Sequence, residues 1–153
     1  MTRYRVGLAV IAAIVVLTGA WAVTALADEA VKIILKASEQ SPTASGRAFI
    51  SDKRLQVETK GLKPDAVYTV WFVNTAPKHE IAGAGAPPYA FTTDKAGTGR
   101  FTARLQDSPF GKWEMLVIIR HPTGDPKDMD HKEDALWAPL DKAAAGPRNP
   151  CAG

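Results

Sequence analysis

The sequence predicts an all-β fold, an antiparallel β-sandwich of about seven or eight short strands over residues 28–140. Three observations predict it: short apolar or alternating runs, turn residues fencing each run, and the lack of any stretch with helical apolar spacing after residue 27. Two runs are apolar on both faces while the others alternate, as expected where two sheets pack on each other.

The strands are read in order. Val31, Ile33, Leu35 and Ala37 alternate with Lys32 and Lys36, giving a first strand with one solvated face. Ser41-Pro42-Thr43-Ala44-Ser45-Gly46 is a turn, and Arg47–Ile50 a second strand. Leu55-Gln56-Val57-Glu58-Thr59-Lys60 alternates strictly and is the clearest half-buried strand. Gly61-Leu62-Lys63-Pro64-Asp65 turns the chain into Val67–Val73, β-branched and aromatic throughout and expected at the sheet centre. A loop of about fourteen residues, Asn74–Pro87, is expected next, a length that goes with binding or covering. Tyr89–Thr93, the turn Asp94–Gly99 and the alternating Phe101, Ala103 and Leu105 form a hairpin. Trp113–Ile119 is the second apolar strand, a polar stretch runs from Thr123 to Asp134, and Ala135–Ala138 closes the sheet. Trp71 and Trp113 are expected at the centre of the core.

The N-terminus carries an export signal. Arg3 and Arg5 precede the uncharged stretch Val6–Ala27, which closes on Ala25-Leu26-Ala27 before Asp28-Glu29. This is the layout of a signal peptide over residues 1–27, a short helix cleaved after Ala27; an uncleaved anchor is the alternative. The expected location is therefore periplasmic or secreted, with membrane contact only through the N-terminal segment if it is retained. Residues 28–153 are close to charge balance, since the leader takes two of nineteen basic and none of sixteen acidic residues. No basic cluster with interleaved aromatics is present, which excludes a nucleic-acid partner from the expectations. The single Cys151 permits no intrachain disulfide and sits in a tail, 141–153, rich in Ala, Gly and Pro and expected to be disordered.

Gly61–Val73 followed by Thr93–Phe101 resembles the extracytoplasmic domain of anti-sigma-K-type factors. Those domains carry a "G-L-P … Y-x-L-W-L" strand, then "D-x-x-G" leading into another, and His121-Pro122-Thr123-Gly124-Asp125-Pro126 is a loose counterpart of their late "E-P-x-G" turn. The resemblance implies an immunoglobulin-like extracytoplasmic module. It does not carry the family's activity, because only Met1–Arg5 precede the apolar segment and sigma-binding helices are not among them. A fainter likeness is to secreted sandwich domains of the CHRD type.

Candidate chemistry is sparse. His79, His121, Met129 and His131 are the metal-ligand candidates, with Met115 and the acids Asp125, Asp128, Asp130, Glu133 and Asp134 nearby in sequence. Imidazole with thioether suits copper, and carboxylates alone suit Ca²⁺, but neither an EF-hand spacing nor an H-E-x-x-H motif occurs. Solvated loop residues explain the same pattern. No serine sits in a G-x-S-x-G elbow, and no catalytic residue is expected. The resulting expectation is a non-enzymatic module that binds a partner protein or cell-envelope component through its end loops, Asn74–Pro87 with Pro87-Pro88-Tyr89, and Pro122–Asp134. The alternative is a copper-type metal-binding protein built on His79, His121, Met129 and His131; otherwise no cofactor is expected.

Overall fold

The computed structural model describes residues 29–141; the leader and its cleavage point, the tail beyond Asp141 and Cys151 lie outside them. The described residues are all-β and antiparallel, with no helix among them. The strands are β1 (Val31–Ala37), β2 (Ser45–Ile50), β3 (Arg54–Lys60), β4 (Val67–Asn74), β5 (Glu80–Gly83), β6 (Ala90–Thr92), β7 (Gly99–Arg104), β8 (Met115–His121) and β9 (Glu133–Pro139). They hydrogen-bond in the order β5-β4-β8-β9-β1-β2-β3-β7, and β6 also pairs with β4. β1 belongs to two ladders: Val31–Leu35 pair with β2, whereas Lys36 and Ala37 pair with Trp137 and Leu136 of β9.

Alternation decides which side of each strand is dry. Ile33 and Leu35 of β1, Ala48 and Ile50 of β2, Leu55 and Val57 of β3, and Phe101 and Ala103 of β7 share one face and are buried. They join one apolar cluster with Tyr68, Val70 and Phe72 of β4, Leu116 and Ile118 of β8, and Leu136 and Ala138 of β9. Burial of these side chains, the larger aliphatic and aromatic ones each contributing roughly 1.5–3 kcal/mol, is what holds a fold that has no disulfide among the described residues.

The aromatic centre differs from the expectation. Trp71 and Trp113 are both half-buried, and Tyr68 is the fully buried ring, stacked on Phe91 at 5.5 Å. The pleat explains this: Tyr68, Val70 and Phe72 point inward, so Trp71 must take the other face. There its indole N–H donates to Thr69 Oγ1 at 2.7 Å, a partner that an apolar interior would not supply. Trp113 precedes β8 and packs at the edge of the core, 6.3 Å from the Phe72 ring. The phenol of Tyr68 keeps a partner too, accepting the Lys63 N–H at 3.0 Å, while burial pushes its pKa up.

Other boundaries moved as well. The long loop expected from Asn74 contains β5, which pairs with Trp71–Asn74 along the edge of β4. β8 starts at Met115 and runs through His121, and β9 extends two residues before Ala135 by means of a register shift at Ile118/Ile119. The Asp94–Gly99 turn is as expected: the Asp94 carboxylate accepts the N–H groups of Ala96 and Thr98 at 2.9 and 2.8 Å, and Gly97 takes φ 72°.

Candidate functional site

The four metal-ligand candidates are not brought together. His121 pairs with Val67 at one end of β4, whereas Asn74 at the other end pairs with Glu80, next to His79. Seven steps along β4 at ~3.3 Å each place them ~23 Å apart. The same register puts the 75–79 turn and the 122–132 connection at opposite ends of β4, not at one recognition end. Among the described residues, no group of three or more His, Cys, Asp or Glu is set to hold a metal ion.

His121 is a strand residue, 2% exposed, and both its ring nitrogens are engaged. Nδ1 lies 2.9 Å from the Asp128 carbonyl oxygen and Nε2 2.7 Å from Thr69 Oγ1. A carbonyl only accepts, so Nδ1 carries the proton, and in the neutral ring Nε2 then accepts from the Thr69 hydroxyl. With Trp71 donating to the same hydroxyl, a chain of hydrogen bonds runs from Trp71 through Thr69 and His121 to the Asp128 backbone.

The 122–132 connection is organised by Asp128. Its carboxylate accepts from Thr123 Oγ1 at 2.9 Å and from the N–H groups of Asp130 and His131 at 3.1 and 3.2 Å. The exposed His131 ring stands 3.0 Å from it. Thr123, followed by the His131 backbone and ring, holds the carboxyl below its ordinary value. Met129 is half-buried beside this turn. Glu133 is paired with Arg120 at 2.6 Å, and Met115 sits on β8 opposite Val73, far along the strand from His121.

The other connection is clamped at its root. The Asn74 side chain donates to the Lys112 carbonyl at 3.1 Å and accepts the Glu114 N–H at 2.9 Å, while the Glu114 carboxylate takes both Thr75 donors. Those Thr75 bonds pull the Glu114 carboxyl below its usual range. Pro87 and Pro88 are exposed, but Tyr89 is half-buried with φ 59°, its ring edge-on to Trp71 at 5.3 Å. A Cβ on Gly83 would stand 2.3 Å from that ring, so only glycine admits this packing.

The residues that sequence reading missed lie on the outward face of β1, β2, β3 and β7. Directly paired positions share a face, and the register lines up Lys32 with Phe49, Ile34 with Arg47, Arg47 with Glu58, Glu58 with Arg100, Ser45 with Lys60, and Arg54 with Arg104. At strand positions, six of the nineteen basic residues in the chain, Lys32, Arg47, Arg54, Lys60, Arg100 and Arg104, thus share one exposed surface with one of the sixteen acids, Glu58. Arg47 contacts Glu58 at 2.6 Å, and this hydrogen bond, its charge and that of Arg100 hold the Glu58 carboxyl below its usual range. Arg54 and Arg104 face each other with no acid between them, a like-charged cross-strand pair that weakens the sheet. Two concavities open on this face. A groove of about 720 Å³ is bordered by Ala30, Phe49, Lys53, Arg54, Gln56 and Arg104, and a smaller one of about 260 Å³ by Lys32, Ile34, Arg47, Glu58 and Lys60. The signal was present in the alternating lysines and arginines, but a near-zero net charge concealed it. In comparisons with protein-family models, curated proteins and solved structures, nothing matches this chain.

Proposed function

We propose that this chain is an exported, non-enzymatic binding module, an immunoglobulin-like β-sandwich that holds an anionic component of the cell envelope against the outward face of β1, β2, β3 and β7. The observation that carries this reading is the segregation of six cations with one carboxylate at the strand positions of that face, including the Arg54–Arg104 pair. A sheet that keeps like charges opposite each other loses stability unless a counter-charge arrives, and an anionic ligand supplies one. The sandwich reading is supported by the apolar cluster, which draws on inward faces of both ladders that meet in β1. Export is supported by the leader pattern and by the likeness of 61–73 and 93–101 to extracytoplasmic anti-sigma-K-type domains. A binding role on the sheet, in place of catalysis or recognition at the loops, is supported by the engagement of His121, Asp128, Asn74 and Glu114 in internal hydrogen bonds.

The test is retention of the purified protein by an isolated envelope fraction across a salt series. Retention that falls steeply as salt shortens the screening length, and that is lost in Arg54→Glu/Arg104→Glu, is the expected result. Retention that ignores salt and survives the double reversal refutes the reading.

A further inference from the structure

We infer that the anionic component is the phosphate-bearing surface of a lipid bilayer, an inference that rests on the binding face proposed above and names its partner. A soluble polyanion asks only for cations, whereas an anionic bilayer surface takes cations at the phosphates and apolar side chains just beneath them. This face carries both. Ile34 is 61% exposed and stands on the cationic surface between Lys32 and Lys36. Phe49 lies opposite Lys32 and has the Arg47 guanidinium 5.6 Å over its ring. A lone exposed apolar side chain means little. Here Ile34 and Phe49 are each adjacent to or capped by a cation, the pairing found where proteins meet a membrane interface.

Position along the chain points the same way. The larger groove has Ala30 on its rim beside Lys53, Arg54 and Arg104. The uncharged stretch Val6–Ala27 ends three positions before Ala30. The start of β1, the start of β3 and the end of β7 meet at this end of the ladder, since Val31 pairs with Ile50, Ile50 with Leu55, and Arg54 with Arg104. This end of the face is the end at which the chain enters β1.

The experiment uses the full-length chain, so that every variant carries the same leader. Co-sedimentation is measured with vesicles of phosphatidylcholine alone and with vesicles containing about one-third phosphatidylglycerol, the charged fraction setting the surface potential. Lipid-free beads bearing polyphosphate are measured in parallel. Phosphatidylcholine alone reports what the leader contributes. The wild-type chain is expected to gain at least about tenfold in partition on phosphatidylglycerol, and Arg54→Glu/Arg104→Glu to lose that gain, at about fivefold per charge near the surface. Ile34→Ser, at an exposed position that leaves the core intact, is expected to weaken vesicle binding several-fold and to leave bead retention unchanged. Equal binding to the two vesicle types with intact bead retention, or an Ile34→Ser variant that binds anionic vesicles like wild type, overturns the bilayer assignment alone and leaves a soluble polyanion as the ligand. Failure on both beads and anionic vesicles overturns the binding face as well.

Discussion

Replacing Thr69 by valine removes one hydroxyl and nothing else of consequence, because the two side chains share a shape. Thr69 is 0% exposed, and its oxygen stands 2.7 Å from both the Trp71 indole nitrogen and His121 Nε2. The substitution deletes two hydrogen bonds: the one from the half-buried Trp71 costs about 1 kcal/mol, and the buried acceptor left on His121 with no partner costs about 1–3 kcal/mol. A total loss of about 2–4 kcal/mol is expected, without a cavity to account for any of it. Urea unfolding followed by tryptophan fluorescence measures it directly, and at a slope of about 2 kcal/mol/M the midpoint falls by about 1–2 M. Thr69→Ser keeps the hydroxyl and sheds one methyl, so it is expected to cost only about 0.8 kcal/mol. A valine variant within about 0.5 kcal/mol of wild type, or a serine variant as damaged as the valine one, refutes the hydrogen-bonded chain from Trp71 to Asp128.

Two further expectations concern packing and pH. Gly83→Ala places a methyl 2.3–2.4 Å from three ring carbons of Tyr89, whose ring is already seated on Trp71, and overpacking of this kind costs about 1–3 kcal/mol; thermal unfolding and the aromatic circular dichroism of the Trp71–Tyr89 contact report it. Glu58, Glu114 and Asp128 titrate in the fold below their ordinary values of 4.5, 4.5 and 3.8, so the stability they contribute is present above those values and lost as pH falls through the lower folded ones. Tyr68 has the opposite sign: its pKa is raised from 10.0, so its contribution is intact below pH 10 and lost as pH climbs past the raised value. Unfolding free energy measured against pH is expected to decline at both extremes, and a rise in stability on acidification below pH 4 contradicts the carboxylate contacts.

Strands were legible wherever period-two alternation was clean. β1 and β3 announce themselves through Val31 to Ala37 and Leu55 to Lys60, because one face of each is buried and the other solvated. β5 was hidden: Glu80-Ile81-Ala82-Gly83 lies on an edge, mostly exposed, and burial had left no pattern in its four residues. In β4 the uniform apolarity showed that both sides are covered but not which residues face the centre, so the indole was misplaced and the phenol overlooked. All three histidines fall outside the apolar runs and so read as loop ligands, yet the pairing of His121 with Val67 is a long-range fact that no local spacing encodes. The cationic face failed for a different reason. Its charges are scattered along four strands and cancel against acids elsewhere, so only the register assembles them.

The division of β1 between two ladders has a consequence for biosynthesis. Lys36 and Ala37 wait for Trp137 and Leu136, partners that lie in β9, the last strand to follow in the chain. Until then the early strand is half zipped, and the late flank of β8 is bare, an open seam inviting a stranger's strand. A polypeptide stalled short of residue 133 has no native means of sealing that seam, so completeness of the chain is itself a safeguard against entanglement with its neighbours.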